Sequence, residues 1–423
     1  MNSRERVLKA VAHEEPDRVP IDLGGSIVTG IMAGALVRLR RHLGLTETAR
    51  IYDAFQMLGE VALDLVERFD IDVLPVEPEA ITFAHLRRRD YKPWRLFDGT
   101  PVQVPGAFDV TLSPEGDWLL HEDGDPAGPV VARMPKDGYY FDKLSVTGWD
   151  YDYQPPSIES LRQSAWRRLT QEDLRDLQEH ARVLRQTTDK ALVMTNWGDA
   201  VLGPPSAGSV AEWLIVLVSE PAYVQELMDL AAERALENLK LYQEAIGTDI
   251  DIISVDGSDY GSQDREMFSP ALFERYHEPY YKTICDWIHT QTPWKISKHC
   301  CGSIPRLIES MIRAGIDILN PVQTSAVGMD ARTLKDTFGD RITFWGGGVD
   351  TQNVFSFGTP DDVRRDVEER LRIFGPGGGF VWAAIHNIQY TVPPENIVAA
   401  LDAIRDYGQY PLVTDHLRRT SSS

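Results

Sequence analysis

The stretch Lys298-His299-Cys300-Cys301-Gly302-Ser303 sets an imidazole and a thiol two residues apart, just after the strand-like run Trp294 to Ser297. Side chains two apart on an extended segment point the same way. His299 and Cys301 therefore face one direction and Cys300 the other. A neutral imidazole and a thiolate are both zinc donors. A buried core histidine beside an ordinary cysteine is the competing reading, and a lone His-x-Cys does not separate the two. A third donor on a neighbouring element would.

The elements around that stretch alternate. From residue 170 onward, helix-like and strand-like runs follow one another: helix 172–187, strand 191–196, helices 210–218 and 223–245, strand 250–255, then a helix opened by Ser269-Pro270. Next come strand 294–298, helix 304–314, strand 316–320, helix 330–338, strand 342–345, helix 360–374, strand 379–384 and helix 394–406. Upstream, Asn2 and Glu5 have capping-box spacing. Residues 18–23 read as a short strand, 31–43 and Ile51 to Phe69 as helices, and Ile71 to Val76 as a strand. Strands mostly followed by helices predict a parallel sheet, and eight such units predict an α/β fold closed as a (β/α)8 TIM barrel. No Gly-x-Gly-x-x-Gly follows the first strand, so nothing supports a dinucleotide-binding sheet. Residues 85–155 break the pattern with Pro, Gly, Asp and aromatics. They are expected to form a β-rich insertion over the barrel within one domain, 1–423. Its rings, including Trp94, Phe97, Phe108, Trp118, Tyr139, Tyr140 and Phe141, would either pack a small core of their own or wall a substrate pocket.

Catalytic groups of such a barrel lie just past the C-terminal ends of its strands. Those positions carry Trp197-Gly198-Asp199, Asp256 to Gln263, His299 and Cys301, Asn320 and Gln323, Gly346-Gly347-Gly348 with Asp350, and His386-Asn387 with Gln389. His386 is thus the candidate third ligand, completing a three-donor set that leaves one zinc position open. Two neutral imidazoles and one thiolate leave the ion net positive, suited to Lewis-acid work on an oxygen or to binding a thiol. Asp256 and Asp259 are candidate catalytic or supporting acids, with simple Asx turns as the alternative. Asn320, Gln323 and Gln389 are candidate substrate contacts. Gly346, Gly347 and Gly348 are candidates to admit a cofactor or offer it backbone N–H groups.

A formal charge of −21 argues against nucleic acid and anionic membrane surfaces as partners. Arg87-Arg88-Arg89 reads as a solvated face. The three cysteines, Cys285, Cys300 and Cys301, do not describe a disulfide framework. No apolar run approaches the ~20 residues of a membrane helix, and the charged N-terminus lacks a signal-peptide core, so a soluble, cytoplasmic protein is expected.

Several segments resemble the uroporphyrinogen decarboxylase superfamily. They are Arg4-Glu5-Arg6-Val7-Leu8 with Pro16-Asp17-Arg18-Val19-Pro20, Lys298 to Gly302, Asn320-Pro321-Val322-Gln323, Trp345 to Asp350, and His386-Asn387-Ile388-Gln389 with Pro393 to Ile397. The resemblance is greatest to the cobalamin-dependent methyltransferases of the methylcobamide:coenzyme M type. It implies a barrel whose zinc is held by the His and Cys of His-x-Cys and by a later cysteine. His299 and Cys301 match the first two, and His386 stands near the place of that cysteine. The activity it implies is zinc-dependent methyl transfer between a small methyl ether or thiol and a corrinoid (cobalamin). A partner protein would carry the corrinoid, and a homodimer is a further candidate assembly. Metal-free decarboxylation by acids such as Asp256 or Asp259, and a non-catalytic ligand-binding barrel, are the alternatives.

Overall fold

The computed structural model describes residues 1–46, 48–80, 86–143, 154–164, 169–195 and 210–412. Trp197, Gly198 and Asp199 lie outside the described residues. Seven parallel strands follow one another in chain order across one sheet: Val73–Val76, Ala191–Thr195, Ile252–Asp256, Lys295–His299, Ile318–Asn320, Thr343–Trp345 and Phe380–Val381. Ile252–Asp256 is buried at every position, as a parallel strand covered on both faces must be. The eighth place belongs to residues 19–22. On one side Trp382 N donates to Pro20 O (2.9 Å) and Asp22 N to Trp382 O (2.8 Å); on the other, Asp72 N donates to Ile21 O (2.8 Å). This segment joins both edges of the sheet, and the expected (β/α)8 barrel is the observed fold.

Charge holds the closing segment in place. Fully buried Asp72 takes Arg6 Nη1 at 2.6 Å and Arg18 Nη1 at 2.7 Å, and it also accepts Ile21 N at 2.8 Å. Arg6 is presented by helix Ser3–Val11, whose Asn2 and Glu5 form the expected capping box. Asp72→Ala would take the buried carboxylate from Arg18 and leave Arg6 with Asp17 alone. The expected cost is about 3–5 kcal/mol, read as a lower urea midpoint with an unchanged m value.

Backbone clustering separates two compact units: Met1–Leu144 with Asp189–Ala191 and Trp345–Ser423, and Ser145–Thr188 with Leu192–Phe344. The first contains residues 86–143 of the insertion, which are β-rich as expected. One sheet orders Ile31–Met32, Leu58–Gly59, Ala49–Asp53, Pro101–Val104 and Lys92–Arg95; another orders Asp142–Lys143, Val130–Met134, Trp118–His121 and Val110–Leu112. Most of the insertion's rings fill its own core. Phe108, Trp118 and Phe141 are buried in one cluster with Trp94 and Phe97 against it. Tyr139 and Tyr140 stay exposed.

Two expectations fail in this unit. The stretch Ile51 to Phe69 is not one helix: strand Ala49–Asp53 comes first, and the helix is only Leu63–Arg68. Asp53 Oδ1 accepts Gln56 N at 2.6 Å, turning the chain. Ala49 and Arg50 pair with Val102 and Gln103 of the insertion, a distant partner that local periodicity does not reveal. Arg88 is also no part of a solvated face. It is largely buried, donating Nη2 to Glu77 at 2.6 Å and Nε to Tyr52 O at 2.8 Å.

In the second unit the helices follow their caps. Thr170 caps Gln171–Thr187, and Ser269 caps the turn Pro270–Leu272. That turn continues through a π-helical stretch, Phe273–His277, into helix Glu278–Gln291. Such insertions bend a helix and often mark functional positions. Here the stretch precedes Tyr281, which reaches the end of strand Ile252–Asp256.

Candidate functional site

Strand Lys295–His299 ends on two donors that face each other, with His299 Nε2 3.4 Å from Cys301 Sγ. His299 Nδ1 lies 2.8 Å from Asn320 Oδ1. A carboxamide oxygen only accepts, so Nδ1 carries the proton and Nε2 keeps a lone pair for a metal. Burial depresses the imidazole's pKa, outweighing the pull of Asp259, and the ring stays neutral as a metal ligand requires. The Cys301 thiol is pushed well up, first by burial and then by the Asp259 carboxylate. A cation bound there would reverse that preference by coordinating the thiolate. Cys300 points away, its sulfur accepting Tyr260 N at 3.3 Å, and burial lifts its pKa to about 12.

Backbone geometry sets the turn after the strand. Gly302 has φ +90°, and a Cβ there would sit 2.3 Å from Gly261 O. Only glycine meets both demands. Gln323 Oε1 accepts Gly302 N at 2.8 Å and its amide donates to Gln263 at 2.9 Å. Asn320 and Gln323 therefore brace His299 and the turn beyond Cys301.

The two acids divide. Asp259 is 46% exposed, accepts Cys301 N at 2.7 Å and lies 3.7 Å from His299 Nε2. Asp256 is buried: its Oδ2 sits 2.9 Å from Lys298 Nζ, both side chains fully inaccessible. Tyr260 and Tyr281 donate to the same oxygen, and Ser258 N donates to Oδ1 at 2.9 Å. Burial alone would raise the Asp256 carboxyl, but Lys298 and Tyr281 outweigh it and hold the pKa below its ordinary value. Lys298 Nζ also donates to Ser258 O at 2.7 Å and to His299 O. One buried ammonium thus ties the loop after Asp256 to the end of the His-x-Cys strand.

His386 is half-buried, five residues past strand Phe380–Val381. Its neighbour Asn387 is buried and fixes the local backbone, accepting Gly30 N at 2.6 Å and donating to Ile27 O at 2.9 Å and Gln56 Oε1 at 2.8 Å. Gln389 is exposed and donates to Asn387 O at 2.9 Å. Of the three candidate ligands, His299 and Cys301 are brought together within one unit, 3.4 Å apart, and His386 belongs to the other. In the glycine run, Gly346 N and Gly348 N donate to Val381 O and Ala383 O. A Cβ at Gly348 would fall 2.2 Å from Trp382 Nε1, so this run serves close packing against the neighbouring strand.

Asp22 was not singled out among the strand-end candidates, although its place at the end of segment 19–22 was the signal. Its buried carboxyl accepts Trp345 Nε1 at 2.7 Å and Gly25 N at 2.8 Å. Burial lifts it from 3.8 to about 6, against the pull of those donors. Between those values the folded chain binds more proton than the unfolded one. Asp22's contribution to folded stability is therefore full below the lower value and is lost as pH rises through the upper. The linked loss is up to about 3 kcal/mol, and Asp22→Asn is expected to remove it from urea midpoints compared at either end of the window.

A sequence model of the uroporphyrinogen decarboxylase (URO-D) family matches residues 195–407, half of the chain. The chain belongs to that family and is an enzyme of the URO-D superfamily. Uroporphyrinogen decarboxylase from Alkalilimnicola ehrlichii is 23% identical over 336 residues, covering 74% of this chain and 85% of that protein. The decarboxylase from Methylococcus capsulatus is 24% identical over 193 residues, 45% of this chain and 51% of that protein. Among solved structures, a methyltransferase from Methanosarcina mazei matches with a TM-score of 0.55 at 15% identity, covering 96% of this chain and 99% of that one. At that identity the likeness is one of fold.

Proposed function

We propose that this enzyme is a zinc-dependent methyltransferase, moving a methyl group between a small methyl ether or thiol and a corrinoid carried on a partner protein. The observation that carries the reading is the facing imidazole and thiol at one strand end, His299 Nε2 and Cys301 Sγ 3.4 Å apart, with the His299 tautomer already set for coordination by Asn320. His299, Cys301 and His386 would hold the ion. Bound zinc supplies Lewis-acid polarisation of an ether oxygen or stabilises a thiolate. The chain's own residues orient the donors. Asn320 holds the His299 ring, Asp259 holds the Cys301 backbone, and the Asp256–Lys298 pair fixes the strand ends beneath them. Asp259, exposed beside the donors, is placed to meet substrate. Residues 1–423 act as one catalytic domain in this reading. A cytoplasmic setting fits the free thiols it requires, and no described helix is long and apolar enough to cross a membrane.

Purified protein is expected to hold one zinc and, with cob(I)alamin and a methyl ether, to generate the methylcobalt spectrum in a chelator-sensitive way. Metal-free protein, or zinc retained after His299→Ala and His386→Ala together, would sink the reading. Decarboxylation is the second reading, favoured by the names of the curated relatives. Carbon dioxide release from a porphyrinogen, indifferent to chelators, would establish it instead.

A further inference from the structure

Within the first unit, a small cleft, largely filled by Tyr139, lies between the insertion and the loop that follows His386. Met32, Met57 and Met134 line it with thioethers, and Phe97 and Trp118 with rings. Soft, polarisable walls of this kind suit aromatic ligands. Asp98 is the one carboxylate among the lining residues, which include no lysine or arginine. An anionic ligand would meet the Asp98 carboxylate with no cation among the lining residues to offset it.

One wall is built with unusual care. Tyr390 follows His386 by four residues, and its hydroxyl donates to Asp98. Arg38 donates to Tyr390 O and places its guanidinium 4.3 Å from the ring centroid. A Cβ on Gly34 would fall 2.4 Å from Tyr390 Cε2, so one edge of the ring abuts bare backbone. The remaining face is covered by Tyr139, whose ring stacks at 3.8 Å and 10°. Rings so close on one face leave only the opposite face for the guanidinium.

Near-parallel sandwiches of this kind are poor for two ordinary rings, because their quadrupoles repel. A cation on the far face draws π density from Tyr390 and relieves that repulsion. The face turned to the cleft is then electron-poor and prefers an electron-rich ring. Tyr139, a phenol, is such a ring. It sits on an exposed turn and is itself 42% exposed, so an incoming ligand displaces it without unpacking the core.

We propose that this cleft binds an uncharged, electron-rich, oxygen-substituted benzene ring against Tyr390, with Tyr139 as its internal stand-in and gate. Aryl methyl ethers belong to that class, so as a statement about substrate the inference rests on the methyltransferase reading. As a statement about binding it does not.

The test is calorimetry on the full chain with 1,2-dimethoxybenzene, 1,2-dicyanobenzene (uncharged but electron-poor) and 3,4-dimethoxybenzoate (anionic). The dimethoxybenzene is expected to bind and the other two to bind several-fold more weakly. Tyr139→Ala should tighten binding roughly 2- to 10-fold by removing the competing stack. Arg38→Gln should erase the preference over the dicyano compound, and Tyr390→Leu should abolish binding. If Tyr390→Leu unfolds the chain, the Tyr139 and Arg38 variants decide alone. Absence of dimethoxybenzene binding, or equal affinity for the electron-poor ring, overturns the proposal. No metal or cobalt is needed, so intact binding without methyl transfer counts against the methyltransferase reading and leaves this site standing.

Discussion

Cys301→Ser is expected to empty the metal site and to lower methyl transfer by more than the about 10- to 100-fold that loss of an outer partner costs. A serine hydroxyl at that position has no accessible anionic form, whereas a cation can pull the proton from the thiol. The same chemistry predicts a pH signature for the native site. Burial and Asp259 hold the Cys301 thiol protonated in the metal-free chain, while depressed His299 is already neutral. Binding zinc therefore releases one proton, from sulfur. Affinity should rise about tenfold per pH unit around neutrality, measured by competition with a coloured chelator. A flat profile would mean that the sulfur is not a ligand, whatever the activity of the variant.

Much of the barrel is legible because its signals are local. Ser269, Asp330 and Thr359 each accept the backbone N–H three residues on, and each helix begins where its cap predicts. The strands between are short apolar runs, and buried parallel strands need nothing else. Period two was enough to turn His299 and Cys301 together and Cys300 away. Failures share a cause, which is partnership with distant residues. Ala49–Asp53 becomes a strand because the insertion pairs with it, and Arg88 is buried because Glu77 and Tyr52 receive it. Asp256 reads as a candidate acid at a strand end, yet Lys298, the residue just before the metal-ligand candidate His299 on the adjacent strand, neutralises it. Strand-end position says that a side chain is near the site. Whether it faces the substrate or lies beneath depends on which charges the neighbouring strands contribute.

That buried pair gives the second large effect. Lys298→Met would leave Asp256 ionised in the interior with only hydroxyl and amide donors, an expected loss of about 3–5 kcal/mol read from urea midpoints. The double variant Lys298→Met, Asp256→Asn removes both charges while the carboxamide oxygen still accepts from Tyr281 or Ser258. Most of the stability should return, because replacing a buried ion pair by neutral groups is often close to cost-free. Metal affinity should not return with it. The Lys298 ammonium also holds the carbonyls of Ser258 and His299, and neither methionine nor asparagine can replace those two bonds. A stable double variant that binds zinc as tightly as the native chain would show that the ammonium only balances charge. A stable one that binds 10- to 100-fold more weakly, the range roughly expected of an outer partner, would show that it positions the strand end from which His299 and Cys301 project.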